Sequence, residues 1–285
     1  MSVFYPAGQR IMKPVFGAKL NRAHYLHSFI QKWYEFNGKS NLQFWDSKLE
    51  LNLLSQNAGN PTLVPEGIYL NDNGHGATND ILKGNMSVSK YRSITFYFRL
   101  KLIGAPYANE YGAYLFSGNA SQIHIRLDGS ASPYLPRYTI GNWDGHSHTG
   151  IHTSGVTVGQ EFSVAMIGDA ASNTAKGYLN GEFIDLTKVS DGWAGNADSY
   201  PSEYILGSRD NTTWLAYYGA DCVYIRAAIF NTALSTKQLL DLDNDPYYPW
   251  RHEPIELLTH EAAGPSMPIP VLMQQMDQFN GGAFL

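Results

Sequence analysis

From Ser93 onward the chain alternates apolar and polar residues with a period of two, and no long helical pattern interrupts it. In ITFYFRLKL, Phe96, Phe98, Leu100 and Leu102 share one side, and Thr95, Tyr97, Arg99 and Lys101 share the other. Successive side chains of a strand point to opposite faces, so this spacing predicts a strand with one buried face. QIHIRLDG repeats the pattern, with Ile123, Ile125 and Leu127 inward and His124, Arg126 and Asp128 outward. EFSVAMIGD puts Phe162, Val164 and Met166 inward, and DCVYIRAAIF supplies a further strand around Val223 and Ile225. KGYLNGEFI carries Asn180-Gly181 between apolar flanks, a hairpin signal because both turn residues need positive φ. Strands at this spacing form an antiparallel sandwich or jelly roll. Charged residues are 16% of the chain, against roughly 25% in ordinary soluble domains. The 19 Tyr, 13 Phe, 6 Trp and 27 Gly fit strands joined by tight turns.

Other classes are disfavoured. A formal charge of −5 argues against a nucleic-acid binder, which carries a clustered basic surface. The single Cys222 leaves no disulfide framework and no Cys-based zinc site within one chain. No apolar run approaches the roughly 18 residues that cross a bilayer, so no membrane partner is expected. MSVFYPAGQRIMKP lacks a basic stretch followed by an apolar one, so no secretory signal is read there and synthesis in a cytoplasm is expected.

Before Ser93 the pattern is weaker. Leu26, Phe29, Ile30 and Trp33 follow helical spacing, while Ile30, Lys32, Tyr34 and Phe36 follow strand spacing, and the sequence leaves both open. The segment from Ser40 to Asp80 reads as short strands broken by Gly, Asn and Pro. Near the end of the domain, Ser235 and Gln238 stand in capping-box spacing, Leu239 and Leu242 share a face, and Pro246 stops the helix. Beyond Trp250, Pro254, Gly264, Pro265, Pro268 and Pro270 punctuate a tail with scattered apolar anchors. The expected layout is an N-terminal arm (1–38), a sandwich (39–250) with one short helix near its end, and an extended C-terminal arm (251–285).

The order SITFYFRLKL, then YLFSG with IHIRLDG, then YLNGEFID, then YILGSRDN and VYIRAAIFNTALSTKQLLDLDNDPY resembles the laminin-G-like, concanavalin A-like jelly-roll family over about half the chain. The closing stretch is the most specific part. At the start, PVFGAKLNRAHYLHSF is similar to an opening seen in jelly-roll proteins of tailed bacteriophages, matching at Gly17, Leu20, Asn21, His24 and Leu26. Tyr25 stands where that pattern usually has proline. The resemblance implies a virion protein made in the host bacterial cytoplasm, with capsid decoration or cement as its role. Phe4, Tyr5, Val15 and Phe16 at one end, and Ile269, Val271, Leu272 and Phe284 at the other, would then bury against the major capsid protein or other virion proteins. Homo-oligomers, trimers in particular, are implied by the same resemblance. The competing reading is a carbohydrate-binding module of a phage tail or head fibre, recognising host-surface glycan.

The same fold hosts β-glucanases, which align carboxylates along one strand face. The nearest equivalent, GEFIDLTK, puts Glu182 and Asp185 three apart, on opposite faces, beside a turn. No enzyme is expected, since fold alone supplies no chemistry. NWDGHSHTGIH holds Asp144, His146, His148 and His152, and a His-x-His pair on a strand could ligate a transition metal. Local hydrogen bonding is the preferred reading, and no metal is favoured. Jelly rolls often hold Ca2+ in rim loops, for which NDNGHG (Asn71 to Gly76) and GSRDNTTW (Gly207 to Trp214) are the oxygen-rich segments, with Asp144, Asp210 and Asn211 as ligands. Asx turns explain the same residues without an ion, and no cofactor is expected. Lectins of this fold stack sugars on exposed rings, for which Trp143, Trp193, Trp214, Tyr217 and Tyr218 are the candidates. The same rings would serve equally as anchors of a protein interface.

Overall fold

The computed structural model describes residues 25–36, 44–46, 51–58, 61–71, 80–85, 93–106, 112–118, 123–129, 132–141, 147–169, 171–189, 203–208 and 219–245. All of them lie in the unit Met1–His252; the unit Glu253–Leu285 is outside the described residues. In chain order the strands are β1 (Ile30–Glu35), β2 (Phe44–Asp46), β3 (Leu51–Ala58), β4 (Thr62–Val64), β5 (Gly67–Leu70) and β6 (Ile81–Asn85). Then come β7 (Ser93–Leu102), β8 (Ala113–Gly118), β9 (Ile123–Asp128), β10 (Leu135–Gly141), β11 (Ser147–Ile151) and β12 (Glu161–Asp169). The last are β13 (Thr174–Leu179), β14 (Glu182–Asp185), β15 (Thr187–Lys188), β16 (Glu203–Leu206) and β17 (Cys222–Phe230), followed by helix α1 (Thr236–Asn244).

The strands form the two antiparallel sheets of a jelly-roll sandwich. The first runs β14-β13-β12-β7-β17-β5-β4, with β1 also paired to β17; the second runs β15-β11-β10-β9-β8-β16-β6-β3-β2. Cys222–Tyr224 of β17 pair with β5, while Arg226–Phe230 pair with β1, so one long strand serves two shorter neighbours. Between the sheets, Phe96, Phe98, Leu100, Leu102, Phe162, Val164 and Met166 meet Ile123, Ile125 and Leu127, as the alternation predicts. Each such side chain contributes about 1.5–3 kcal/mol on burial. Asn180 (φ 47°) and Gly181 (φ 96°) turn β13 into β14, both in the left-handed region the hairpin requires.

One reading that the sequence left open is decided, and one expectation changes. The ambiguous segment around Ile30 is a strand: Tyr25–Ser28 make one 3-10 turn, and β1 follows. β1 therefore takes residues 30–35 of the expected N-terminal arm into the first sheet, and β2 to β6 join one sheet or the other. At Thr95 and Tyr97 the outward face of β7 is not wet. Thr95 and Tyr97 are buried with Trp33, Ala165, Ile167, Tyr178 and Phe230 under Leu239 and Leu242 of α1. Their polar atoms are satisfied there, which a period-two pattern does not register. Thr95 Oγ1 donates to the Thr232 carbonyl (2.8 Å) and accepts from Leu234 N–H (3.0 Å). The Tyr178 hydroxyl donates to Asp243 Oδ2 on α1 (2.7 Å), and Ser163 Oγ donates to the same carboxylate. Ser235 caps α1, accepting from Gln238 N–H while Gln238 Oε1 accepts from Ser235 N–H, the reciprocal box that the spacing predicts. No helix among the described residues is long and apolar enough to cross a membrane.

Candidate functional site

Most sequence-predicted site residues lie outside the described residues. That is so for the arm residues Phe4, Tyr5, Val15, Phe16, Ile269, Val271, Leu272 and Phe284, and for the rings Trp143, Trp193, Trp214, Tyr217 and Tyr218. It holds also for Asp144, His146, Asp210 and Asn211. The two carboxylates of GEFIDLTK are on β14. Asp185 lies 3.8 Å from Lys176 Nζ in an exposed ion pair, and Glu182 Oε2 accepts from Ser154 Oγ (2.7 Å).

His148 and His152 are described, and both are almost fully buried. His152 Nδ1 accepts from the N–H of Ser154 (3.1 Å), the local bonding expected for a structural histidine. Among the described residues no group of three or more His, Cys, Asp or Glu could hold a metal ion. Burial lowers the pKa of His148, helped by the Lys188 charge and opposed by a hydrogen bond to the Asn173 backbone. Its Nδ1 is buried without a hydrogen-bond partner, so the ring fits its pocket in the neutral form. The unfolded chain therefore binds a proton more readily than the folded one. The stability from the neutral ring is fully present above the free-imidazole range near about 6.5 and is lost as pH falls below it. Thermal melts from about pH 7.5 to about pH 5 are expected to show falling Tm, with a shallower slope in His148→Gln. An identical slope in the two proteins would remove His148 from this account.

The two outer faces of the sandwich differ. That of the first sheet is closed by α1 and by Leu26. On the second, β8 to β11 present a different set, because the residues between the core-facing positions are polar or charged. Register aligns them in rungs. Tyr114, Arg126, Arg137 and Ile151 lie opposite one another across four strands, as do Ser117, His124, Thr139 and Thr149. Tyr114 packs on His124 with ring centroids 5.0 Å apart, and the Arg126 guanidinium carbon sits 5.9 Å from the Tyr114 ring centre. Thr139 and Thr149 bring their hydroxyls within 3.4 Å, and Thr149 Oγ1 donates to the Tyr138 carbonyl (3.1 Å). Tyr114, Ser117 and His124 are buried, whereas Arg126, Arg137, Thr139 and Thr149 are half-buried and Ile151 is exposed. The face thus opens toward β10 and β11. Its outward positions were legible in the alternation of IHIRLD; their assembly across four strands was not.

No family model and no curated protein sequence matches the chain. By structure it is similar to the binding domain of Paraclostridial Mosquitocidal Protein 1, at 14% identity over 78% of this chain and 53% of that one, with a TM-score of 0.57. It is similar to the structure described under the dependence of botulinum neurotoxin type C cell entry on two ganglioside molecules, at 14% identity over 80% and 52%, TM-score 0.54. A third is the binding domain of botulinum neurotoxin DC in complex with SialylT, at 14% identity over 77% and 52%, TM-score 0.53. This chain spans about half the length of each. At such identity the likeness is one of fold, a β-sandwich.

Proposed function

We propose that the chain is a carbohydrate-recognition module without catalytic chemistry, and that it binds glycan on the open part of its second sheet. The observation that carries this reading is the less buried end of two rungs, where Arg137, Thr139, Thr149 and Ile151 adjoin on paired strands. Sugar hydroxyls both donate and accept, and this set offers hydroxyls, guanidinium donors and an apolar side chain within one surface. The structural neighbours, two of them described with gangliosides or a sialyl ligand, support recognition of host-surface glycan over capsid decoration. A phage-virion setting rests on the sequence resemblance alone, and an adhesion module on a virion surface would satisfy both.

A glycan array with the full chain tests the reading. Wild type is expected to bind a subset of glycans, and Thr139→Met, which fills the face without adding charge, to weaken binding by about tenfold or more. Lys237→Glu, on the far face of α1, is expected to bind like wild type. A chain that binds no glycan on the array, or binds equally well with Thr139→Met, would sink the proposal.

A further inference from the structure

The Arg126–Arg137 rung has a charge arrangement that sheet packing alone does not favour. The two arginines lie directly opposite each other on antiparallel β9 and β10. Like charges at directly opposed positions destabilise a sheet. One carboxylate serves both: Arg126 Nε lies 2.8 Å from Asp128 Oδ1, and Arg137 Nε donates to Asp128 Oδ2. The Arg126 contact is an ion pair off the hydrogen-bonding direction, since Arg126 Nε and Asp128 Oδ1 both remain without a hydrogen bond. Two guanidiniums on one carboxylate leave one net positive charge on the rung.

The two arginines are not equivalent. Arg126 is 14% exposed, lies against the Tyr114 ring, and directs Nη1 to the Tyr114 hydroxyl (3.4 Å). Arg137 is 31% exposed, and its Nη groups have no partner among the described residues. With Nε held by Asp128, its planar fork is oriented before any ligand arrives. Such a fork matches a carboxylate through two parallel N–H···O bonds. Ile151 stands opposite Arg137 on β11, and the Thr139–Thr149 hydroxyl pair occupies the next rung on the same face.

Resting on the carbohydrate reading above, we infer that this face selects acidic saccharides, with Arg137 pairing the carboxylate of a sialic or uronic acid. Arg126 and Asp128 are positioning residues: Asp128 fixes the Arg137 fork, and Arg126 offsets the Asp128 charge so that the rung stays cationic. Thr139 and Thr149 meet ring hydroxyls, and Ile151 lies under an apolar edge of the sugar.

The test uses the full chain on surfaces carrying lactose, 3′-sialyllactose, a glucuronate-terminated disaccharide or 3′-sulfated lactose. Wild type is expected to prefer the two carboxylate sugars over lactose by about tenfold or more, and to lose that preference in high salt. Which of the two binds better identifies the source of the carboxylate. Arg137→Gln is expected to bring the acidic-to-neutral ratio to about one, and Arg137→Lys to keep part of it, because charge remains while the fork is lost. Ile151→Glu leaves the arginine–aspartate triad untouched and sets a like charge where the ligand carboxylate would sit. It is expected to abolish acidic binding whether or not Arg137→Gln folds. Equal binding of lactose and the carboxylate sugars, preference confined to the sulfated sugar, or preference retained in folded Ile151→Glu overturns the acidic specificity and leaves the carbohydrate reading standing. Binding to none of the four surfaces and to no arrayed glycan overturns both.

Discussion

Glu35→Ala is expected to destabilise the domain by about 3–5 kcal/mol, the usual cost of orphaning one member of a buried ion pair. Glu35 on β1 lies directly opposite Arg226 on β17, and Arg226 Nε donates to Glu35 Oε1. The Arg226 side chain is 1% exposed and that of Glu35 is 13% exposed. The guanidinium carbon lies 5.0 Å from the centre of the Trp33 ring, whose Nε1–H donates to the same Glu35 oxygen (3.0 Å). Removing the carboxylate strands a charge that water cannot reach and takes away an acceptor of the Trp33 N–H. At about 2–4 °C per kcal/mol for a domain of this size, Tm is expected to fall by roughly 10 °C. Glu35→Leu combined with Arg226→Met is expected to recover most of the loss, because an apolar pair of similar volume removes the charge from the interior. Denaturant unfolding of wild type and the two variants measures this. A loss below about 1 kcal/mol in Glu35→Ala would mean that the pair is solvated and that β1 contributes little to the first sheet.

Phe116→Ala is expected to cost about 3–5 kcal/mol, through lost transfer energy and the cavity left behind. Phe116 comes from β8, and its ring centre lies 4.6 Å from Phe96 and 5.2 Å from Phe98 on β7. It also neighbours Tyr204 of β16, centre to centre at 6.2 Å. It thus ties the two sheets at mid-sandwich, where strands on both sides limit collapse into the void. Val189→Ala, at a position 62% exposed, is the matched control and is expected to stay within about 0.5 kcal/mol of wild type. Equal effects from the two substitutions would place the core elsewhere.

Some of this was written in local residue order. The alternation in β7, β9 and β12, the Asn180-Gly181 turn and the Ser235–Gln238 box are short-range facts. Each fixes its own element through side-chain direction, positive φ or a reciprocal cap. The sandwich follows from them, because strands with one apolar face must bury it against another sheet. The candidate site was legible only one strand at a time. Arg126 and Asp128 read as outward residues of β9, and nothing in QIHIRLDG says that Arg137 will face them.

The sequence by itself therefore determined the alternating strands from Ser93 onward, their inward faces, the short helix near the end of the domain and the all-β class. The tertiary structure decided which polar positions are buried and which remain open. Thr95 and Tyr97 became interior when α1 docked over β7, because buried hydroxyls find partners that alternation does not count. His148 and His152 went inward too, because the pairing of β10 with β11 sets His148 beside the core residue Ile140. Register, set by the whole ladder of backbone hydrogen bonds, placed Arg126 against Arg137 and gave both to Asp128. Pairing between strands is a long-range property, and the chemistry proposed for this protein depends on it.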